Sequence, residues 1–213
     1  ATGVGAARGS SGSPAKMWAN GSETVSVDSK FNKHPTKKRK SGTQSPIVRV
    51  DLARKPDQEV VLEMIRTRRP QVVWISLPSG SFSKAKERQD AKGFARPIRS
   101  GAHPEGLPEI LRGAHTPLKK RREDGNALSE FADEVVKLCE ATGSQWVVEA
   151  PTNTWFWDLA CARATLVRPE TALTKLQMCM FGAGRDKWVS LMSNAEWVKQ
   201  LGATCDKSHE HSP

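Results

Sequence analysis

The chain has 213 residues, a length that suits one domain of ordinary size with a substantial core. Hydrophobic residues make up 37% of it, no apolar run approaches the ~20 residues that span a bilayer, and no charged-then-apolar leader opens it, so membrane insertion and classical secretion are not expected. Four widely spaced cysteines fit a reducing, intracellular compartment, and the net charge of +10 favours a polyanionic partner such as nucleic acid.

The positive charge is concentrated in two stretches rich in Gly, Pro and Ser. Residues 1–46 carry 8 basic and 2 acidic side chains, and residues 84–125 carry 11 and 6. Neither stretch has sustained apolar periodicity, whereas the near-neutral remainder does. The sequence therefore predicts basic loops at 29–46 and 79–125.

Four segments have the composition of β-strands. Residues 23–28 and 47–52 are short β-branched alternations that run into an acid. Residues 71–77 and 145–149 are more continuously apolar, as expected for strands that are covered on both faces. We therefore predict that the last two are central strands of a sheet.

Helical patterns separate these strands. Residues 56–68 have Pro near the start, an acidic first turn, apolar residues at helical spacing and a basic last turn. Residues 126–142 begin at Asn126, a residue type that caps helices, and end before Gly143. The alternation predicts an α/β fold with a doubly wound, mostly parallel, Rossmann-like sheet, which binds ligands beyond the carboxyl ends of its strands.

The pattern changes after residue 149. We expect a helix at 154–166, paired strands at 176–181 and 187–192, and a short helix at 195–201. These elements would complete one domain.

That domain is predicted to cover residues 1–203, with a polar Cys/His tail at 204–213. The loop at 79–125 far exceeds the usual ~4 to 6 residues of a connection. Its length favours either a functional lid or a poorly ordered segment.

The N-terminus carries a glycine pattern. Gly3, Gly5 and Gly9 would permit a tight turn against a ligand, and Asp28, at the end of the next strand, would accept hydrogen bonds from ribose hydroxyls. The strand that should precede the glycines is missing, so we expect a sheet that lacks part of its first strand and a chain that begins inside a longer protein. A flexible tail is the alternative. Asp51 would accept from an adenine amino group or cap the following turn.

Two segments carry the most specific signal. One strand runs into Pro78-Ser79-Gly80 followed by Phe82-Ser83, and a later strand runs into Glu149-Ala150-Pro151. With the glycines and the two acids in order before them, these segments resemble the cytosine-5 DNA methyltransferase family. They are most similar to short, divergent methylase-like proteins of mobile elements and some protists.

The resemblance implies a Rossmann-like methyltransferase fold and a reaction. In the family a loop Cys adds to ring carbon 6 of cytosine, carbon 5 of the adduct takes the methyl group, and a Glu holds and protonates ring nitrogen 3. The matching catalytic residues here are Ser79 and Glu149. The methyl donor, S-adenosylmethionine, would be held by Gly3, Gly5, Asp28, Asp51 and Pro78.

This chain departs from the family at the reacting residues. Ser79 stands where the family has Cys, and a hydroxyl is a much weaker nucleophile than a thiolate. Ala150 replaces the family's Asn, and no clear Gln-x-Arg-x-Arg signature is present. Ser79 would otherwise be a structural loop serine, and Glu149 a strand-end acid bonded to backbone amides.

The sequence therefore predicts one of two functions. The first is a degenerate S-adenosylmethionine-dependent DNA (cytosine-5) methyltransferase-like protein. The alternative is a non-catalytic basic nucleic-acid-binding module derived from a mobile element.

A separate constellation lies near the C-terminus. Cys205, His209 and His211 are closely spaced, and Cys179 is the nearest thiol before them. Thiolate and imidazole are the ligands that tetrahedral zinc prefers, so these four residues predict a closed structural zinc site. A tail with incidental histidines is the alternative.

Two basic clusters complete the candidate residues: Lys37, Lys38, Arg39 and Lys40, and Lys119, Lys120, Arg121 and Arg122. Both are expected to contact phosphates, which gives salt-dependent affinity without sequence preference. The first also resembles a short nuclear-import signal. DNA is favoured over RNA as the partner; solvated charge runs are the alternative, and the oligomeric state is left open.

Overall fold

A computed structural model of the protein describes residues 2–6, 23–28, 47–84, 97–112 and 117–211. Its strands and helices, in chain order, are β1 (Thr2–Ala6), β2 (Glu23–Asp28), β3 (Ile47–Arg49), α1 (Lys55–Arg68), β4 (Val72–Ser76), α2 (Pro108–Arg112), α3 (Pro117–Thr142), β5 (Gln145–Pro151), α4 (Ala160–Leu166), β6 (Ala172–Gln177) and β7 (Trp188–Ser193). Three 3₁₀ turns lie at Trp155–Asp158, Met178–Phe181 and Glu196–Leu201.

Within the described ranges, the seven strands form one mixed sheet in the order β3-β2-β1-β4-β5-β7-β6. The first five strands in that order pair in parallel, and β7 runs antiparallel to both β5 and β6. Strands β2 and β3 therefore follow β1 toward one edge of the sheet, whereas β4 and all later strands lie on the other side of β1. The predicted α/β class with a mixed sheet is confirmed.

The two faces of the sheet carry two clusters of buried side chains. Helices α1, α3 and α4 pack on one face, against strand residues such as Val73, Ile75 and Trp146. The opposite face carries Trp74 and Val147, because successive strand residues point to opposite sides. Among the described residues, the 3₁₀ turn Glu196–Leu201 covers part of that second face. The connections at 7–22 and 29–46 lie outside the described residues.

Several predicted elements are confirmed. Strand β2 has the predicted bounds, and α1, β4 and β5 differ from theirs by one or two residues. Helix α1 carries Pro near its start, Asp57 in its first turn and basic residues in its last turn. These charges complement the helix dipole, so the sequence pattern was sufficient to place the helix. The third strand is shorter than predicted and ends at Arg49.

The expectation for the N-terminal glycines was wrong. Gly3 and Gly5 do not form a turn after a missing strand but lie within β1, whose last residue is Ala6. Gly5 lies between Ser26 of β2 and Trp74 of β4 in the parallel ladders. Hydrogen-bonded pairing on both sides outweighs the poor intrinsic strand preference of glycine.

The expectation of one basic loop over 79–125 was also wrong. Helix α2 lies inside that range, and α3 begins at Pro117 rather than at Asn126. Gly125 was interpreted as loop, yet it is a buried helical residue, and a Cβ there would clash with the hydroxyl of Ser81. Close packing, not a chain break, explains this glycine.

The C-terminal third differs in detail from its prediction. The single helix expected at 154–166 is a 3₁₀ turn followed by α4. Strand β6 begins at Ala172 and ends at Gln177, so residues 178–181 are a 3₁₀ turn instead of a strand. That turn ends at Gly182, whose φ of 81° is in the left-handed region that glycine favours. The short helix expected at 195–201 is the last 3₁₀ turn.

Among the described residues, no helix is both long and apolar enough to cross a membrane.

Candidate functional site

The carboxyl ends of the parallel strands meet at one edge of the sheet, here called the carboxyl edge. Asp28 is the last residue of β2, Ser79 follows β4, and Glu149 lies near the end of β5. The direction of building reverses between β1 and β4, and such a switch point opens a crevice at this edge in open α/β sheets. The edge is therefore the place in this fold where a ligand would bind.

The sheet register brings the strand that leads to Ser79 next to the strand that carries Glu149. Ser76 pairs with Glu149 across β4 and β5, and the amide of Leu77 donates to the carbonyl of Glu149 at 3.1 Å. The chain then continues through Pro78 to Ser79, whose side chain is exposed. The β4–β5 ladder thus places Ser79 beside the strand end that carries Glu149.

The loop that presents Ser79 is fixed at its base. The Phe82 amide donates to the Ser79 carbonyl at 3.2 Å and closes a turn. The Phe82 ring is buried, and its carbonyl accepts from the Trp155 amide at 2.9 Å and from Thr154 Oγ1 at 3.1 Å. The loop is therefore anchored to the segment after β5 while Ser79 faces outward.

Glu149 has a partner that sequence reasoning missed. Its Oε2 accepts a hydrogen bond from the indole Nε1 of Trp74 at 2.9 Å, and the Glu149 side chain is half-buried. The register sets Trp74 and Glu149 on the same face of adjacent strands. A hydrogen bond to a carboxylate is stronger than one between neutral groups, so the indole orients this side chain.

The predicted cofactor residues are placed unequally. Gly3 and Gly5 lie inside β1, and Asp28 ends β2, although its side chain is outside what the structure describes. Asp51 has the alternative role of capping a turn: its Oδ1 accepts from the Ala53 amide at 3.2 Å. Half-buried Pro78 stands at the carboxyl edge, where it lines a cleft.

That cleft, of about 360 Å³, lies between the Pro78 loop and the start of α3. It is lined by Pro78, Gly80, Ser81, Pro117, Lys120, Arg121, Asp124, Gly125 and Leu128. Lys120 pairs with Asp124 at 3.1 Å on the surface, and Arg121 is exposed. A basic cleft therefore adjoins the predicted nucleophile position.

The basic cluster Lys119 to Arg122 was expected in a loop and lies instead in the first turns of α3. The N-terminus of a helix carries partial positive charge, so basic side chains there are repelled by the helix dipole. The dipole and the basic side chains together favour a bound anion. The other cluster, Lys37 to Lys40, lies outside the described residues.

Arg99 is a structural residue that no sequence signal indicated. Its guanidinium is 1% exposed and donates to the carbonyls of Ser81, Pro104 and Arg122 at 3.2, 2.6 and 3.2 Å. It also stacks on the Phe82 ring at 3.9 Å. Burial, and then the neighbouring charge of Arg122, lower the pKa of Arg99 to about 10. Arg99 thus joins the loop that contains Ser79 and Ser81, the segment before α2 and the start of α3.

The four residues of the predicted metal site converge in the structure. The candidate ligand atoms of Cys179, Cys205, His209 and His211 all lie within 4.8 Å of one another, and such a cluster could hold a metal ion. Cys205 Sγ is 3.7 Å from His209 Nε2 and 3.5 Å from His211 Nε2, and the two imidazole nitrogens are 3.2 Å apart. We refer to these residues as the Cys/His cluster.

The local backbone explains how the tail reaches this arrangement. Lys207 has a φ of 61°, and its amide donates to Cys205 Sγ at 3.3 Å. Asp206 Oδ1 accepts from the Ser208 amide at 3.0 Å, and hydrogen bonds from the Ser208 side chain and then from this amide lower the pKa of Asp206. The resulting sharp turn folds His209 and His211 back onto Cys205. An amide that points at sulfur favours the thiolate, the form that binds metal.

Cys179 comes from a different part of the chain and is buried at the 3₁₀ turn after β6. Burial, followed by its hydrogen bond and charge interaction with Cys205, raises the pKa of the Cys179 thiol. Without a metal this thiol therefore keeps its proton at neutral pH. The other two cysteines, Cys139 and Cys161, lie on α3 and α4, and burial raises the pKa of each thiol.

Comparison of the chain with protein-family models, with curated proteins and with solved structures gave no match.

Proposed function

We propose that this chain is an S-adenosylmethionine-dependent methyltransferase-like protein of the cytosine-5 DNA type, with a serine in place of the nucleophilic cysteine. The observation that carries the proposal is that the strand end just before Ser79 pairs with the strand end that carries Glu149: Ser76 pairs with Glu149, and the Leu77 amide donates to the Glu149 carbonyl at 3.1 Å. Ser79 and Glu149 are 70 positions apart in sequence, and the family pattern requires them in one site.

The sheet supports this proposal. Its β3-β2-β1-β4-β5 order has the switch point of a nucleotide-binding Rossmann-like sheet, and an antiparallel β7 is inserted beside β5. Helices α1, α3 and α4 cover one face, as one half of a doubly wound arrangement would.

The residues at the carboxyl edge fit the cofactor in their chemistry. Asp28, at the end of β2, supplies a carboxylate for ribose hydroxyls, and Pro78 lines the adjoining cleft. When bound, S-adenosylmethionine supplies an electrophilic methyl group. Asp51 is a weaker candidate because one of its carboxylate oxygens already caps the turn before α1.

The chain's own residues would then act on a cytosine as follows. Glu149, oriented by Trp74, would first take up a proton from solvent and, in that acid form, would pass it to ring nitrogen 3, which makes carbon 6 more electrophilic. Ser79 occupies the place of the attacking group, and its hydroxyl needs a base to take its proton. A thiol at this position would attack as the thiolate without that help. We therefore expect no covalent adduct with the natural serine.

Covalent trapping on DNA that contains 5-fluorocytosine tests this proposal. The natural chain is expected to give no denaturation-resistant protein–DNA band, whereas Ser79→Cys should give one. The matched control is the double variant Ser79→Cys/Glu149→Gln, which keeps the thiol and removes the acid, and should lose the band. A band from the natural chain, or equal trapping by the double variant, would contradict the roles of these two residues.

A second candidate function is the non-catalytic nucleic-acid-binding module. It is favoured by the basic first turns of α3, which line the cleft beside Ser79 and would bind phosphates whether or not a methyl group is transferred. Replacement of the nucleophile removes chemistry from this edge but leaves its positive charge.

We also propose that the Cys/His cluster binds one Zn²⁺ as a closed structural site. A tetrahedral zinc with Zn–N of about 2.0–2.1 Å and Zn–S of about 2.3 Å has ligand edges of about 3.3 Å between nitrogens and about 3.6 Å between nitrogen and sulfur. The corresponding distances here are 3.2, 3.5 and 3.7 Å. Two thiols and two imidazoles complete the four ligands, so no position is left for a substrate.

A further inference from the structure

The connection between β6 and β7, residues 178–188, exposes large apolar side chains. Met180, Phe181 and Trp188 are 38%, 43% and 39% exposed. Other exposed apolar residues of the described chain, such as Val60 and Val167, lie on separate elements. Single exposed apolar residues are ordinary, but two aromatic rings and a methionine exposed on one short connection, here called the patch, are a candidate binding surface.

The same connection carries positive charge. Arg185 and Lys187 are exposed between the two aromatic residues. The acid between them, Asp186, accepts a hydrogen bond from Gln177 Nε2 at 2.7 Å, which directs it toward the sheet. Aromatic rings interleaved with cations are the combination that binds unpaired nucleic acid, because bases stack on the rings and phosphates contact the cations.

The position of this connection in the fold is specific. Because β7 is antiparallel to β5, its first residue lies at the carboxyl edge: Val189 pairs with Pro151, and the Trp188 carbonyl accepts from the Thr152 amide at 3.2 Å. Leu191 pairs with Glu149, and Trp188 lies three residues before Leu191. Trp188 is therefore about 10 Å along the strand from the position opposite Glu149. The patch therefore borders the edge that carries Ser79 and Glu149.

The Cys/His cluster holds this connection in place. Cys179 belongs to the same 3₁₀ turn as Met180 and Phe181, and its three partner ligands come from the tail. Gln177 also ties the end of β6 to the tail. Its backbone amide donates to the Ala203 carbonyl at 2.8 Å, and its side-chain Oε1 accepts from the Cys205 backbone amide. A metal in the cluster would fix the turn that presents Phe181.

We infer that residues 178–188 form a metal-braced platform for a single-stranded stretch of nucleic acid, with bases stacked on Phe181 and Trp188 and phosphates at Arg185 and Lys187. The inference rests on the proposed function only for the class of partner. It does not require Ser79 to react or S-adenosylmethionine to bind. The positive charge beside the rings and the basic cleft at the same edge favour this occupant over a second protein surface.

The test uses the full zinc-loaded chain and a fluorescent single-stranded DNA of mixed sequence, with binding read by anisotropy. The double variant Phe181→Ala/Trp188→Ala is expected to bind at least about tenfold more weakly, with an unchanged salt slope, since it removes stacking and no charge. Arg185→Ala/Lys187→Ala should instead lower the salt slope by about 1.4, since each phosphate contact on a single strand contributes about 0.7. The matched control Val60→Ala/Val167→Ala removes two exposed apolar side chains elsewhere and should bind like the natural chain.

A second measurement tests the role of the metal. Chelation of the metal should weaken DNA binding by the natural chain. It should have little further effect on DNA binding by the Phe181→Ala/Trp188→Ala variant, because the platform is already lost there. Equal affinities of natural chain and aromatic variant would overturn the inference. So would a change of the aromatic variant from oligomer to monomer without any change in DNA binding, which would make the patch a self-association surface. If the platform variants behave as expected and the carboxyl edge binds no S-adenosylmethionine, the inference stands and the methyltransferase proposal falls.

Discussion

The carboxyl edge and the Cys/His cluster differ in how complete their chemistry is. At the edge, Ser79 follows the strand that pairs with the end of β5 at Glu149, and the proposed reaction would need a thiol where this chain has a hydroxyl. In the cluster, two thiols and two imidazoles lie within 4.8 Å of one another, and the distances among Cys205, His209 and His211 match the edges of a zinc tetrahedron. A fold can keep the position of a site after the reacting side chain there has changed. A four-ligand metal site, in contrast, keeps its geometry only while all four ligands remain.

The largest expected effect comes from breaking the cluster. Cys179→Ser or Cys205→Ser should each abolish a content of about one zinc per chain, because a closed site lacks a substitute ligand. Metal binding contributes directly to folding, so we expect a loss of several kcal/mol and a melting temperature lower by roughly 10 °C. Metal analysis and thermal melting of protein without a histidine tag measure both quantities.

The matched control is Cys161→Ser, a half-buried thiol of α4 outside the cluster, which should keep its zinc. If the natural chain is free of metal and its melting does not respond to chelator, the cluster is only a polar tail against a buried thiol.

Acidification should release the same metal. Imidazole and thiol ligands must be deprotonated to bind zinc, so protons compete with the metal for all four residues of the cluster. The raised pKa of Cys179 works in the same direction, since a proton competes better for that thiol. Zinc affinity should therefore rise with pH across the neutral range. Release of zinc monitored with a chromogenic chelator between about pH 7.5 and 5 checks this, and a flat profile would contradict ligation by these groups.

Removal of the Arg99 guanidinium should have the next largest effect, because it breaks the support of the carboxyl edge. Arg99→Met keeps much of the side-chain volume but leaves carbonyls of Ser81, Pro104 and Arg122 without their donor. Unsatisfied buried acceptors make a loss of about 2–3 kcal/mol the expected result in chemical denaturation. Arg112→Met, at an exposed arginine of α2, should change stability by less than about 0.5 kcal/mol. Equal effects of the two substitutions would show that the buried contacts of Arg99 contribute little.

A smaller effect is expected at the indole that orients Glu149. Trp74→Phe keeps the ring in the apolar layer and removes the hydrogen bond at 2.9 Å, so the free energy of unfolding should fall by about 1–2 kcal/mol. The control Trp197→Phe removes an indole hydrogen bond to the exposed side chain of Gln145 and should lower the free energy of unfolding by less. In the Ser79→Cys background, Trp74→Phe should also slow trapping on 5-fluorocytosine DNA. Unchanged trapping would show that the indole does not position Glu149.

The smallest effect per residue is expected at the basic start of α3. Lys120→Ala and Arg121→Ala should each lower the slope of log affinity against log salt for DNA by about 1, without changing sequence preference. Lys137→Ala, an exposed lysine nearer the other end of α3, is the matched control and should leave the slope unchanged. Affinity that is flat in salt, or strongly dependent on sequence, would contradict phosphate contacts at this cleft.

Local patterns were enough to predict much of this molecule. Strand β2 and helix α1 follow from periodicity and end charges, and the Cys/His cluster follows from the short spacing of Cys205, His209 and His211 with one further thiol. In each case the determining residues lie close together in the chain, so the sequence displays their relation directly.

The missed features depend on contacts between distant residues. Trp74 bonds to Glu149 across 75 positions, and Arg99 reaches carbonyls on three segments. Gly125 was interpreted as a loop residue because its reason, the approach of Ser81, is visible only in the folded chain. The glycines of β1 were assigned to a turn because pairing with two neighbouring strands overrides intrinsic preference.

Calorimetric titration of the folded chain with S-adenosylmethionine tests the central proposal most directly. We expect saturable heat that weakens when Asp28 is replaced by Ala and that is unchanged by Glu170→Ala, an exposed acid before β6 at the opposite edge of the sheet. Thermal melting of both variants confirms that each remains folded. Absence of heat from the folded natural chain would contradict a methyltransferase-like function and leave the nucleic-acid-binding module as the function of this protein.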